Sequence, residues 1–126
     1  MRKIDHTFKI SDLEKKASKK LSIEEVFKYG KNYDSAINFL NKQNLLPYQN
    51  IENLISFQKS EKYPIGYMMF NRNNAAVGFV GTWFSERKIK GYENIFCNIH
   101  SWIVQQEYRL YSFYLISLLN KKNINL

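Results

Sequence analysis

The spacing of apolar side chains changes character once, at Pro64. Before it they recur at helical intervals. Ser11-x-x-Glu14 and Ser22-x-x-Glu25 both have capping-box spacing, in which a hydroxyl and a carboxylate satisfy orphan N–H groups reciprocally. Behind the second box, Ile23, Val26 and Phe27 fall on one helical face, so a helix is expected from Ser22. Asp34 is expected to cap a further helix with Ile37, Phe39 and Leu40 on its buried side. Leu45-Leu46-Pro47 breaks the pattern, since proline disfavours helix in the residue before it. Ile51, Leu54, Ile55 and Gln58 then predict one more short helix, capped by Asn50. The signal for an initial strand around Thr7–Ile10 is weak.

After Pro64 the apolar positions fall in extended runs. Ile65–Phe70 and Ala75–Ser85 flank Asn71-Arg72-Asn73-Asn74, a tetrad of the kind that closes a hairpin. Arg87–Gly91 makes a second polar turn before the run Ile95–Val104. A polar turn, Gln105-Gln106-Glu107, leads into an amphipathic segment with Tyr108, Tyr111, Leu115, Leu118 and Leu119 on one side. The reading is three successive antiparallel strands, a helix from about Glu107 to Asn120, and the opening of another strand at Ile124-Asn125-Leu126. With no repeat and no low-complexity linker, the 126 residues form a single α+β domain.

Composition narrows the classes. Apolar residues at 44% and aromatics at 16% exclude a disordered chain. No window approaches the roughly 18 apolar residues that span a bilayer, and the start MRKIDHTFKI lacks the apolar core of a signal peptide. A single cysteine, Cys97, excludes an internal disulfide and a cysteine-built zinc site, so a reducing cytoplasm is the expected compartment. His6 and His100 offer no metal-binding spacing, and no metal is expected. The net charge of +8 invites a nucleic-acid reading. Its distribution does not support one. Each half of the chain contributes +4, and the cluster Lys15, Lys16, Lys19 and Lys20 fits a solvated helix face.

The candidate chemistry lies in Phe96–Leu119. A strand, a turn and a helix start aim backbone N–H groups and a positive dipole end at an anion, with Arg109 beside them. The segment SWIVQQEYRLYSFYLISLL resembles the strand-to-helix region of the GNAT acyltransferase superfamily, whose "V-x-P-x-[YF]-R-x-x-G-x-[GA]" run wraps the pyrophosphate of acyl-CoA. It is especially similar to a bacterial subgroup reading roughly "CNLSSWYVEPEFR-x-Y".

The resemblance covers about Gly66–Leu126 and implies a GNAT-like α+β fold. In it, N-terminal helices precede an antiparallel three-strand meander and a helix. The family's C-terminal strands would follow, so the resemblance implies a truncated or naturally split form, completed by a homodimer or a partner chain.

It also implies an acyl-CoA-dependent N-acyltransferase, with acetyl-CoA or another acyl-CoA as co-substrate and a small amine as acceptor. The cofactor-binding residues would be Ile103, Val104, Arg109, Leu110, Tyr111, Ser112, Phe113 and Tyr114. Ser112 and Tyr114 stand where the family favours small residues, and the Tyr114 ring would partly fill the phosphate groove. The backbone N–H near Val104 would hold the developing oxyanion.

His100 and Ser101 are the catalytic candidates, and alternation along a strand would let only one of them face the cleft. Glu86 and Glu93 flank the preceding turn, and Cys97 fits a small core residue better than a nucleophile. Two other readings remain open at this point. One is a non-catalytic binding or assembly module that keeps the fold, and the other a basic nucleic-acid-binding domain.

Overall fold

The computed structural model describes residues 21–43, 55–56, 58 and 60–120. The elements, in order, are β1 (Ser22–Val26), α1 (Tyr33–Gln43), β2 (Gly66–Phe70), β3 (Ala76–Ile89) and β4 (Tyr92–Val104). A 3-10 helix (Gln106–Tyr111) then runs into α2 (Ser112–Asn120). The strands form one antiparallel sheet in the order β1-β2-β3-β4. The expected segments at Thr7–Ile10, Ser11–Glu14, the lysine cluster and Ile124–Leu126 lie outside the described residues. So does most of the expected helix after Asn50, of which Ile55 and Ser56 are helical.

The meander appears as β2, β3 and β4, but the helix expected from Ser22 is instead a fourth strand. Leu21 and Ile23 pack on one face of the sheet and Val26 on the other, a period of two. Pairing with β2 along its whole length, Ser22 opposite Phe70 and Val26 opposite Gly66, outweighs the local capping signal. In a strand Glu25 has no helix N-terminus to serve, and its C=O accepts a hydrogen bond from the Asn32 side-chain amide at 3.0 Å. The cap of α1 also differs from expectation. Asn32 C=O accepts the first helical bond, from Ala36 N–H at 3.0 Å, while Asp34 sits in the first turn, where a carboxylate suits the dipole.

The turns explain the strand lengths. Asn71 Oδ1 accepts from the N–H groups of Asn73 and Ala75 at 2.9 Å each, closing the first hairpin. The second turn is tighter than Arg87–Gly91, because Lys90 (φ 52) and Gly91 (φ 84) both take the left-handed conformation of a two-residue hairpin loop. β3 and β4 consequently run on past β2 as a two-stranded arm, pairing Thr82–Ile89 with Tyr92–Ile99.

The core lies on both faces of the sheet. On one, Tyr33, Ala36, Phe39 and Leu40 of α1 pack against Val26, Met68, Phe70 and Phe79. On the other, Leu115 of α2 packs against Tyr67, Met69, Val80, Phe84 and Cys97. The helix expected from Glu107 begins as a 3-10 turn. Tyr108, Tyr111 and Tyr114 lie three residues apart, the spacing at which 3-10 side chains eclipse, and all three pack against this second cluster. Among the described residues, no helix is long and apolar enough to cross a membrane.

Candidate active site

The site begins at a defect in β4. Gly81 pairs with Ser101 and Thr82 with Ile99, so His100 is an extra residue with no partner on β3. The bulge overrides simple alternation and brings His100 and Ser101 together, with His100 Nδ1 3.0 Å from Ser101 Oγ. Simple alternation, expected to let only one of them face the cleft, would have kept the two side chains apart.

Room for the imidazole comes from a missing side chain. A Cβ at Gly81 would overlap His100 Cε1, Nε2 and Nδ1. Trp83 stacks on the other side of the ring, centroids 4.7 Å apart. His100 Nε2 is buried without a hydrogen-bond partner, and burial pushes the imidazole pKa down to about 4.

Beyond the bulge, β4 is the outer strand of the described sheet. Gln105 N–H donates to Val77 C=O at 2.8 Å, which fixes the phase of the ladder. By antiparallel alternation the N–H and C=O of Trp102 and Val104 point away from β3, to the open edge. On the arm the phase is set by Thr82 N–H, which donates to Ile65 C=O at 3.0 Å, and by Phe84 N–H, which donates to Gln58 Oε1 at 2.7 Å. There Ile99, Cys97 and Ile95 present the outward groups.

A groove of about 700 Å³ runs along this edge. Its walls are Trp102, Ile103 and Val104 of β4, Gln105 to Glu107 of the turn, Arg109 and Ser112 of the helical segment, and Gln43 at the end of α1. The Trp102 indole N–H donates to Ser112 C=O at 3.2 Å, and its ring meets Phe113 edge-on at 5.5 Å, tying strand to helix.

Of the expected cofactor residues, the groove brings together Ile103, Val104, Arg109 and Ser112. Leu110 and Phe113 are exposed away from its lining. Tyr111 and Tyr114 pack against the core, so the Tyr114 ring does not fill the groove as expected. As the expected helix from about Glu107 implies, Arg109 to Tyr114 are helical, and Ser112 N–H is bonded to Arg109 C=O.

His100 and Ser101 are not in the groove lining, and Glu86 is held on the arm by Lys62 Nζ at 2.8 Å and by the Tyr63 hydroxyl. Those partners hold the Glu86 carboxyl below its usual pKa. Cys97 is buried, and burial pushes its thiol up to about 11. Trp102, Gln43 and Glu107 are groove residues that sequence reasoning did not single out. Only an indole in a strand otherwise rich in aliphatic residues was there as a signal.

No protein-family model matches the chain, and no curated protein matches it. Among solved structures it is similar to one described as a unique GCN5-related glucosamine N-acetyltransferase region of a fungal multi-domain GH3 β-N-acetylglucosaminidase. The TM-score is 0.51 at 10% identity, over 84% of this chain and 13% of that one. At that identity the likeness is one of fold. The chain is a mixed α+β protein, its four-stranded antiparallel sheet between helices consistent with a partial GNAT-like fold.

Proposed function

We propose that the protein is an N-acyltransferase that takes an acyl group from an acyl-CoA-type thioester and passes it to a small amine. One observation carries this reading: a groove beside a strand edge whose Trp102 and Val104 amides point away from β3, where no described strand pairs with them, with Arg109 in its lining. The pantetheine arm carries two amide groups and pairs with such an edge as an added strand does. Arg109 supplies a charge-assisted contact to phosphate. A thioester held there presents its carbonyl to the Val104 N–H, a donor placed for the oxyanion that forms when an amine attacks. As the tetrahedral intermediate collapses, the C–S bond breaks, the amide forms, and the amine's proton passes to solvent or to the departing thiolate.

His100, its Nδ1 at Ser101 Oγ, lies further along the same strand and is the group proposed to relay that proton on its way out. Burial keeps the imidazole neutral, the form that accepts a proton, and at the same time weakens it as a base. A non-catalytic binding module is the second reading. It is favoured by the same residues' absence from the groove lining, where Glu107 is the one carboxylate among the described residues.

Calorimetric titration with acetyl-CoA tests binding, and release of free thiol in the presence of small amines tests turnover. Binding with amine-dependent thiol release supports the transferase. Binding without release supports the module, and no binding overturns both.

A further inference from the structure

The groove carries little charge for a site that would hold a nucleotide diphosphate. Among the described residues its lining has one cation, Arg109, and one anion, Glu107, alongside Gln43, Gln105, Gln106 and Ser112. Neither Arg109 nor Glu107 forms an ion pair with a described residue. The described lining is therefore neutral, although the full chain carries +8. Winding of residues 106–111 into a 3-10 turn also commits the Ser112 N–H to Arg109 C=O and withdraws it from any second phosphate.

From this balance, and resting on the reading of the groove as an acyl-thioester site, we infer that it recognises only the phosphopantetheine arm of its donor. Acyl-phosphopantetheine, free or attached to a carrier protein, then serves as well as acyl-CoA. One phosphate meets one guanidinium. The second phosphate of the diphosphate and the ribose phosphate of CoA would bring further negative charge toward Glu107, with no second cation among the described lining residues to meet it. The positive charge of the chain as a whole acts at longer range, within about 8 Å of screening at physiological salt. It favours approach of any anionic donor, an acidic carrier included.

Calorimetry with acetyl-CoA, S-acetyl-4′-phosphopantetheine and the same arm on a carrier protein tests the inference on the intact chain. Affinities for acetyl-CoA and free acetyl-phosphopantetheine are expected to agree within about threefold. Glu107 is exposed, so Glu107→Gln leaves the fold intact; it should tighten acetyl-CoA several-fold and acetyl-phosphopantetheine less. Binding of the carrier-linked arm identifies a carrier as a source, and binding of the free arm alone identifies a diffusible one; either supports the inference. Acetyl-CoA binding tighter by about tenfold or more would overturn it and leave the acyltransferase reading standing. Equal effects of Glu107→Gln on both ligands would overturn it too. Failure of every thioester to bind removes both proposals.

Discussion

The His100 imidazole rests directly on the backbone of Gly81, in the space a β-carbon would occupy. The two residues belong to adjacent strands at a bulge, so the ring and the missing side chain are one packing unit. Gly81→Ala should therefore cost about 1–3 kcal/mol, the range for overpacking a filled site. The cost should largely vanish in a His100→Ala background. Denaturant unfolding of the two single variants and the double variant measures this coupling. Additive losses would mean the ring moves aside freely.

Stability should depend on pH through the same imidazole. His100 titrates near 6.5 unfolded and at about 4 folded, so between those values the unfolded chain binds more protons. Stability is thus full above about pH 6.5 and declines as pH falls toward 4, by a total on the order of 2–3 kcal/mol. His100→Phe keeps the stacked ring and should flatten this dependence. Thermal melts from pH 7.5 to 4 check it.

At the groove, Arg109→Ala should weaken acetyl-CoA binding by about 1–3 kcal/mol while leaving the melting temperature unchanged, since Arg109 is exposed. Titration calorimetry measures the difference. Equal affinity in variant and parent would remove Arg109 from the site.

Gln58 should prove a structural staple. Its amide N–H groups donate to Ser60, Tyr63 and Pro64 carbonyls at 3.3, 2.9 and 3.1 Å, and its Oε1 accepts from Phe84 N–H. Gln58→Ala leaves buried backbone groups unpaired and should cost about 1–3 kcal/mol. It should also speed hydrogen exchange at Phe84, and unchanged exchange there would show that water replaces the side chain.

The hairpins were legible because Asn71–Asn74 and Gly91 carry turn chemistry in their own residues. So were the apolar face of α1 and the buried Cys97. β1 was not, because Ser22 and Glu25 imitate a capping box while the force that decides their conformation, pairing with β2, comes from residues more than forty positions away. The groove was half legible. Ile103, Val104, Arg109 and Ser112 follow from the family motif, but the inward packing of Tyr111 from the 3-10 turn and of Tyr114 from α2 depends on the core they meet. Gln43 reaches the groove through tertiary packing alone.

The extra residue in β4 acts as a phase shifter. Cys97 packs into the core on the side of α2, and Trp102 bonds to α2 on that same side. Yet one position is odd and the other even, and an unbroken strand would send them to opposite sides. Deleting His100 would thus do more than remove an imidazole. It would force either the distal arm or the groove edge to rotate by half a pleat, exchanging buried for exposed side chains along whichever segment yields. Chain length at position 100 is thus itself part of what sets the faces of this strand.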